Sequence, residues 1–128
     1  LLQQLAEQLQ RGVQNAPLKW IRAQVGQTLR LIPVDEIDYL RSDAKYTRVA
    51  WRGDAGQPAE ALISSALKDL VAQLDPGQFA QVHRSVVVNL RAISHVTRGD
   101  NDTAGIHLKG RDEVLPVSRS YLHLFRQM

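Results

Sequence analysis

The sequence predicts a mainly β fold of about ten short strands, with one short internal helix and one N-terminal helix. Three observations carry that class. Apolar and polar residues alternate over short windows from Leu18 onward. Clusters of Gly, Pro, Asn and Asp recur between those windows as turn signals. Inside the domain, helical spacing appears convincingly only from Ala66 to Leu74. Many short strands with frequent turns imply a sandwich or barrel-like arrangement.

In chain order, Leu2, Leu5, Leu9 and Val13 fall at helical spacing with Gln, Glu and Arg between them. The stripe is narrow and Gln-rich, so this helix is expected to stay outside the main core as a linker, available to a partner helix. Asn15-Ala16-Pro17 ends it, because proline disfavours helix in the residue before it. The expected division is a linker over 1–17 and one domain over 18–128. From Leu18 the period becomes two. Leu18, Trp20 and Arg22 alternate with Lys19 and Ile21, Gly26-Gln27 turns the chain, and Thr28 to Ile32 returns with Leu29 and Leu31 on one face.

Pro33 to Glu36 is a connection. Ile37 to Leu40 is a short strand, Ser42-Asp43-Ala44-Lys45 a polar turn, and Tyr46 to Trp51 the returning strand. Arg52 to Pro58 is a loop. Its Arg-Gly-Asp tripeptide also occurs in adhesion ligands, but in a cysteine-free, leaderless sequence it reads as a chance turn. Glu60 to Ile63 is another strand. Ser64 or Ser65 is expected to cap a helix whose Ala66, Leu67, Leu70, Val71 and Leu74 share one face. Asp75-Pro76-Gly77 stops it. The helix is not strongly basic and has no second helix a short turn away, which argues against a helix-turn-helix.

The next stretch, Phe79 to Leu90, is the centre of the chain. Val86-Val87-Val88 is a β-branched run suited to a buried strand. His83-Arg84-Ser85 is too polar to lie unpaired in a core, so the strand is expected to lift these three side chains to an edge. A meander follows: Ile93 to Arg98, a turn at Gly99 to Asp102, a strand holding Ile106 and Leu108, a turn at Lys109-Gly110-Arg111, and a last strand with Val114, Leu115 and Val117. Ser118 to Phe125 is expected to form a short helix folding Tyr121, Leu122 and Phe125 back.

Composition bounds the function. The 128 residues are 44% hydrophobic and 23% charged, as in a soluble globular domain. No window approaches the eighteen apolar residues of a membrane span, and the N-terminus lacks the pattern of a secretory leader. The absence of cysteine excludes disulfides and cysteine-ligated metal and fits a reducing cytosol, so a cytoplasmic location with no membrane partner is expected. The chain opens on Leu rather than Met, as a piece of a longer chain would. Net charge is +3, and the cations cluster. Arg41, Lys45, Arg48 and Arg52 share a stretch with only Asp43, and Arg84, Arg91 and Arg98 share one with no acid.

Catalysis is a poor match. His83 and Ser85 with Asp43 or Asp112 make a triad only on paper, because no Gly-x-Ser-x-Gly elbow and no oxyanion loop accompany them. The four histidines are twelve, twelve and sixteen residues apart, which is no metal-ligand spacing. There is no glycine-rich phosphate loop. No enzyme, metal or cofactor is expected. Nucleic acid fits better. Ser42 to Thr47, His83 to Ser85 and Ser118 to Ser120 each hold a cation beside hydroxyl side chains, the chemistry that grips phosphates and base edges. The alternative is a protein-interaction module that binds no DNA and uses a sheet edge or the Leu2/Leu5/Leu9 stripe.

Three strings sharpen this: Ile37 to Val49, Phe79 to Asn89 with its core His83-Arg84-Ser85-x-x-Val88-Asn89, and Pro116 to Tyr121. Together, in this order and spacing, they resemble the LytTR DNA-binding domain, the output module of LytR/AlgR-type bacterial response regulators. The likeness covers roughly Leu18 to Phe125. It implies an elongated fold of antiparallel β-sheets that reads double-stranded promoter DNA through inter-strand loops in neighbouring major grooves, commonly at paired direct repeats, and so regulates transcription. Carried over by motif, it implies that Lys45 and Thr47, then His83 and Arg84, then Arg119 meet DNA. Ser85 and Asn89 would orient the second loop, with Ser85 also able to grip a phosphate. Asp43, Tyr46, Ser118 and Ser120 would support the loops or touch phosphate. This chain has Ala44 where the family often has Gly. The resemblance also implies that the Leu1–Val13 helix links to an upstream receiver domain served by a sensor histidine kinase. Phosphorylation would then dimerise the receiver and raise the effective concentration of a second module on DNA.

Overall fold

Ten strands form three antiparallel sheets among the residues described in the computed structural model, 17–100 and 103–125. Strands β1 (Trp20–Val25) and β2 (Thr28–Pro33) make a hairpin. Strands β3 (Ile37–Asp43), β4 (Tyr46–Arg52), β5 (Pro58–Ile63), β6 (Phe79–His83) and β7 (Val86–Asn89) make a five-stranded sheet in the order β5-β4-β3-β7-β6. Strands β8 (Ile93–Arg98), β9 (Ala104–Leu108) and β10 (Val114–Val117) make a meander in the order β10-β9-β8. Helix α1 (Leu67–Val71) joins β5 to β6, and a 3-10 helix over Arg119–Phe125 follows β10. The fold is mainly β with one short internal α-helix, as the turn-rich sequence predicts. The helix expected over Leu1–Val13 lies outside the described residues.

The five-stranded sheet is covered on both faces. Ile21, Ala23 and Ile32 of the hairpin and Leu67 and Leu70 of α1 pack on one face, against Leu40, Val49 and Val87. Ile106, Leu108, Leu115 and Val117 of the meander pack on the other, against Tyr39, Ala50, Val86 and Val88. Successive side chains of a strand point to opposite faces, so a strand buried on both sides loses its polar alternation. That is why three consecutive valines occur in β7: Val86 and Val88 enter one core and Val87 the other. Each contributes roughly 1.5–3 kcal/mol on burial.

The structure shows which hairpin face is buried and corrects one expectation, the helix cap. In the hairpin the buried set is Ile21, Ala23 and Ile32, while Trp20, Leu29 and Leu31 are 54%, 62% and 59% exposed. The hairpin packs through the face carrying Ile21, and larger residues mark its outer side, so hydrophobicity alone selects the wrong face. At α1 the N-cap is Ala66, with no side-chain cap bond, rather than Ser64 or Ser65. The Ser65 carbonyl instead accepts the Thr47 hydroxyl at 2.6 Å, which pins the approach to α1 onto β4.

A buried charge cluster fastens the meander to the sheet. Between the pairs Ile37/Trp51 and Tyr39/Ala50, β3 carries one extra residue, Asp38. This bulge leaves its carboxylate buried. Arg111, in the β9–β10 connection, donates from Nε to Asp38 Oδ2 at 2.7 Å and from Nη2 to the carbonyls of Trp51 and Ala59, each at 3.0 Å. Arg52 Nε stands 3.3 Å from the same Asp38 oxygen, and Glu113 lies 3.4 Å from Arg111 Nη1. Burial opposes the Arg111 charge, but the bonds and charges of Asp38 and Glu113 outweigh it and raise its pKa. Gly110 makes room for the cluster. It sits at φ +71, and a Cβ there would come 2.5 Å from Arg52 Nη1. Tyr39 caps the cluster by donating to Glu113 at 3.0 Å. Burial, then the Glu113 bond and charge, push its phenol up to about 12.

Candidate nucleic-acid interface

The polar turns meet at the other end of the sheet. Asp43 pairs with Tyr46, so Ala44-Lys45 is a two-residue turn between β3 and β4. Ala44 adopts φ +55, the left-handed region that glycine occupies most easily. His83 pairs with Val86, so Arg84-Ser85 is the matching turn between β6 and β7. Strands β3 and β7 are neighbours with Arg41 opposite Val86, which sets the two turns side by side. The Ser42 N–H donates to the Ser85 carbonyl at 2.9 Å across the gap.

The third turn joins through a second bulge. Strand β6 pairs Gln81 with Val87 and His83 with Val86, leaving Val82 as the extra residue. The Val82 carbonyl accepts the Ser118 N–H at 2.9 Å, and the Ser118 carbonyl accepts the Tyr121 N–H at 2.9 Å. Ser118-Arg119-Ser120 is thereby held beside the His83 end of β6. Three segments separated widely in sequence form one edge.

The side chains of that edge are mainly donors. Lys45, Arg84, Arg119 and Ser120 are exposed, and Tyr46 is half exposed. Asp43 is held by Arg48 at 2.9 Å, which offsets its negative charge. His83 Nδ1 accepts the Ser85 N–H at 3.2 Å and lies 2.9 Å from Ser85 Oγ. In the neutral ring that bond fixes the proton on Nε2, leaving a ring N–H donor at the edge. Gln81 Nε2 donates to the Arg84 carbonyl at 3.4 Å and braces the turn from its own strand.

Two expected site residues stand elsewhere. Thr47 is 1% exposed and spends its hydroxyl on Ser65, so it supports the first turn from inside. Asn89 is buried at the opposite end of β7 from Ser85, where its amide donates to the Ile37 carbonyl at 2.8 Å and its oxygen accepts the Arg91 N–H at 3.0 Å. Four residues of strand, about 13 Å, separate it from the loop it was expected to orient. Sequence reasoning also missed Val82, whose apolar side chain hides the role of its carbonyl, and Arg48, which reads as one cation in a cluster until the register sets it beside Asp43.

An edge of Lys, Arg, Ser and imidazole donors on a rigid sheet is suited to an anionic polymer. Arginine can bond two acceptors of guanine, and lysine, serine and backbone amides grip phosphate. Among the described residues, no helix is long and apolar enough to cross a membrane.

Known proteins point the same way. The chain is 40% identical over 120 residues to an uncharacterised response regulatory protein of Vibrio cholerae, a match covering 94% of this chain and 45% of the relative. It is 31% identical over 96 residues to the transcriptional regulatory protein YpdB of Escherichia coli, covering 75% of this chain and 37% of that protein. The chain thus spans less than half the length of these relatives. Its fold matches the LytTr DNA-binding domain of a Bacillus cereus response regulator with a TM-score of 0.75 at 22% identity, over 85% of this chain and 94% of that one. The model of the LytTr DNA-binding domain matches residues 27–128, from the hairpin turn through all three polar turns, and on that match the chain belongs to this family.

Proposed function

We propose that this domain binds double-stranded promoter DNA sequence-specifically, as the output module of a two-component transcriptional regulator. The observation that carries the reading is the joining of three basic turns at one sheet end by the Ser42–Ser85 and Ser118–Val82 backbone bonds. Arg84 and Arg119 read base edges in the major groove. Lys45, Ser85, Ser118 and Ser120 grip phosphates, and His83 offers its ring N–H to either. Asp43 and Tyr46 shape the first turn, while Thr47 and Asn89 brace strands behind the edge. Residues 1–17 connect to an upstream receiver controlled by a sensor kinase in the cytoplasm; the V. cholerae relative is named a response regulatory protein and the E. coli relative a transcriptional regulatory protein. Two modules then bind paired direct repeats as a dimer.

A second reading, a protein-interaction surface, is favoured by the exposed Trp20, Leu29 and Leu31 on the hairpin. The two readings differ in one experiment. Genomic fragments retained by the domain are sequenced and footprinted at several salt concentrations. The DNA reading expects a shared motif with repeats about 10 bp apart, or a multiple of that, and affinity that falls steeply with salt as counterions are released. Retention of no fragment, or binding indifferent to salt, leaves the interaction surface as the function.

A further inference from the structure

We propose that Arg41 is a backbone-phosphate contact, carrying the DNA interface from the turns down one face of the five-stranded sheet; the inference rests on the DNA-binding reading above. Arg41 of β3 lies directly opposite Arg48 of β4. Opposed residues of an antiparallel pair point to the same face, and like charges so placed are unfavourable by themselves. Fold stability therefore gives no reason for the pair. The nearby acid serves only one member: Asp43 bonds Arg48 at 2.9 Å, and among the described residues Arg41 enters no ion pair.

The position of the pair is informative. The next pair along the strands on that face, Tyr39 and Ala50, is buried beneath the meander. Arg41 is exposed, and its other neighbour, Val86, directly follows the Arg84-Ser85 turn. Arg41 thus stands past the margin of the covering sheet, three residues and about 10 Å behind the tip of the first turn. A turn that enters a groove leaves the strand behind it facing the phosphates that border the groove. A guanidinium there has donors only, in a fork that matches phosphate oxygens.

The test uses the Arg41→Gln and Arg41→Lys variants on two duplexes: one carrying the genomic motif selected by the parent domain, and a scrambled one of equal length. Dissociation constants are measured by fluorescence anisotropy over a salt series, and thermal melting is recorded alongside. We expect Arg41→Gln to weaken binding several-fold on both duplexes and to lower the salt slope by about one, while Arg41→Lys keeps the slope. Its melting temperature should equal or exceed that of the parent, because a like-charge contact is removed. Unchanged affinity and slope in Arg41→Gln overturn the proposal. So does a loss confined to the selected duplex, which makes Arg41 a base reader, or a lowered melting temperature with the slope retained, which makes it structural. A parent domain that binds neither duplex overturns the DNA reading itself, and this inference with it.

Discussion

Asp38 and Arg111 are 73 residues apart in the chain, yet Arg111 Nε meets Asp38 Oδ2 at 2.7 Å with both side chains almost wholly buried. Through this contact the strand that carries the first turn is fixed to the meander that carries the third. Arg111→Met leaves Asp38 only Arg52, and it strips the Trp51 and Ala59 carbonyls of a donor. Removing one partner of a buried pair costs about 3–5 kcal/mol. We expect a loss near the lower figure, because Arg52 remains. A urea melt measures it as a lower midpoint at constant m-value; an unmoved midpoint would show that the cluster does not hold the sheets together.

Tyr39 gives the domain an alkaline limit. Its phenol is raised from 10.0 to about 12 in the fold, so the folded chain keeps a proton that the unfolded chain releases. This stabilisation is complete below pH 10 and is lost as pH rises through about 12. Tyr39→Phe removes the titration and the bond to Glu113. At neutral pH it is expected to cost about 1 kcal/mol. Between pH 10 and 12 its melting temperature should fall less steeply than that of the parent. Parallel curves would locate the alkaline loss elsewhere.

Ala44 holds a left-handed conformation that its Cβ disfavours. Ala44→Gly relieves this and should stabilise the domain by about 0.5–1 kcal/mol, less the entropy a glycine returns to the unfolded chain. Calorimetry reads the gain. Destabilisation would mean that the turn relaxes at no cost as it stands.

The turns differ in what they are expected to do. Arg84→Ala and Arg119→Ala should each weaken binding to the selected motif by about 1–3 kcal/mol and narrow its advantage over scrambled DNA. Lys45→Ala should weaken both equally. Competition titrations separate the cases. Folded variants of Arg84 and Arg119 that bind like the parent would remove these turns from the interface.

What the sequence shows and what it conceals have physical causes. The Val86-Val87-Val88 run announces a buried strand, and the polar triplet before it announces an edge, because both are local properties of composition. The meeting of the three turns is not local. It depends on β3 pairing with β7 and on the Val82 bulge, and neither leaves a mark in residue type. Arg111 sits beside glycine in a polar turn and reads as surface; only the Asp38 bulge and the Trp51 and Ala59 carbonyls draw it inward. The hairpin shows the converse, where the large apolar residues Trp20, Leu29 and Leu31 lie outside the core. Of the site, cations and hydroxyls are legible, whereas the inward turn of Thr47 and the remote place of Asn89 require the register.

Strand β7 contributes to two cores at once, with Val87 on one side and Val86 and Val88 on the other. Neither layer can come away without exposing valines of the strand on which the other layer also rests. The domain should therefore lose its structure in one step, with hydrogen exchange in the hairpin layer and in the meander reporting the same opening free energy. All three turns hang from this shared frame, so a destabilised variant is expected to bind in proportion to its folded fraction and not to survive as a half-formed edge that grips DNA loosely.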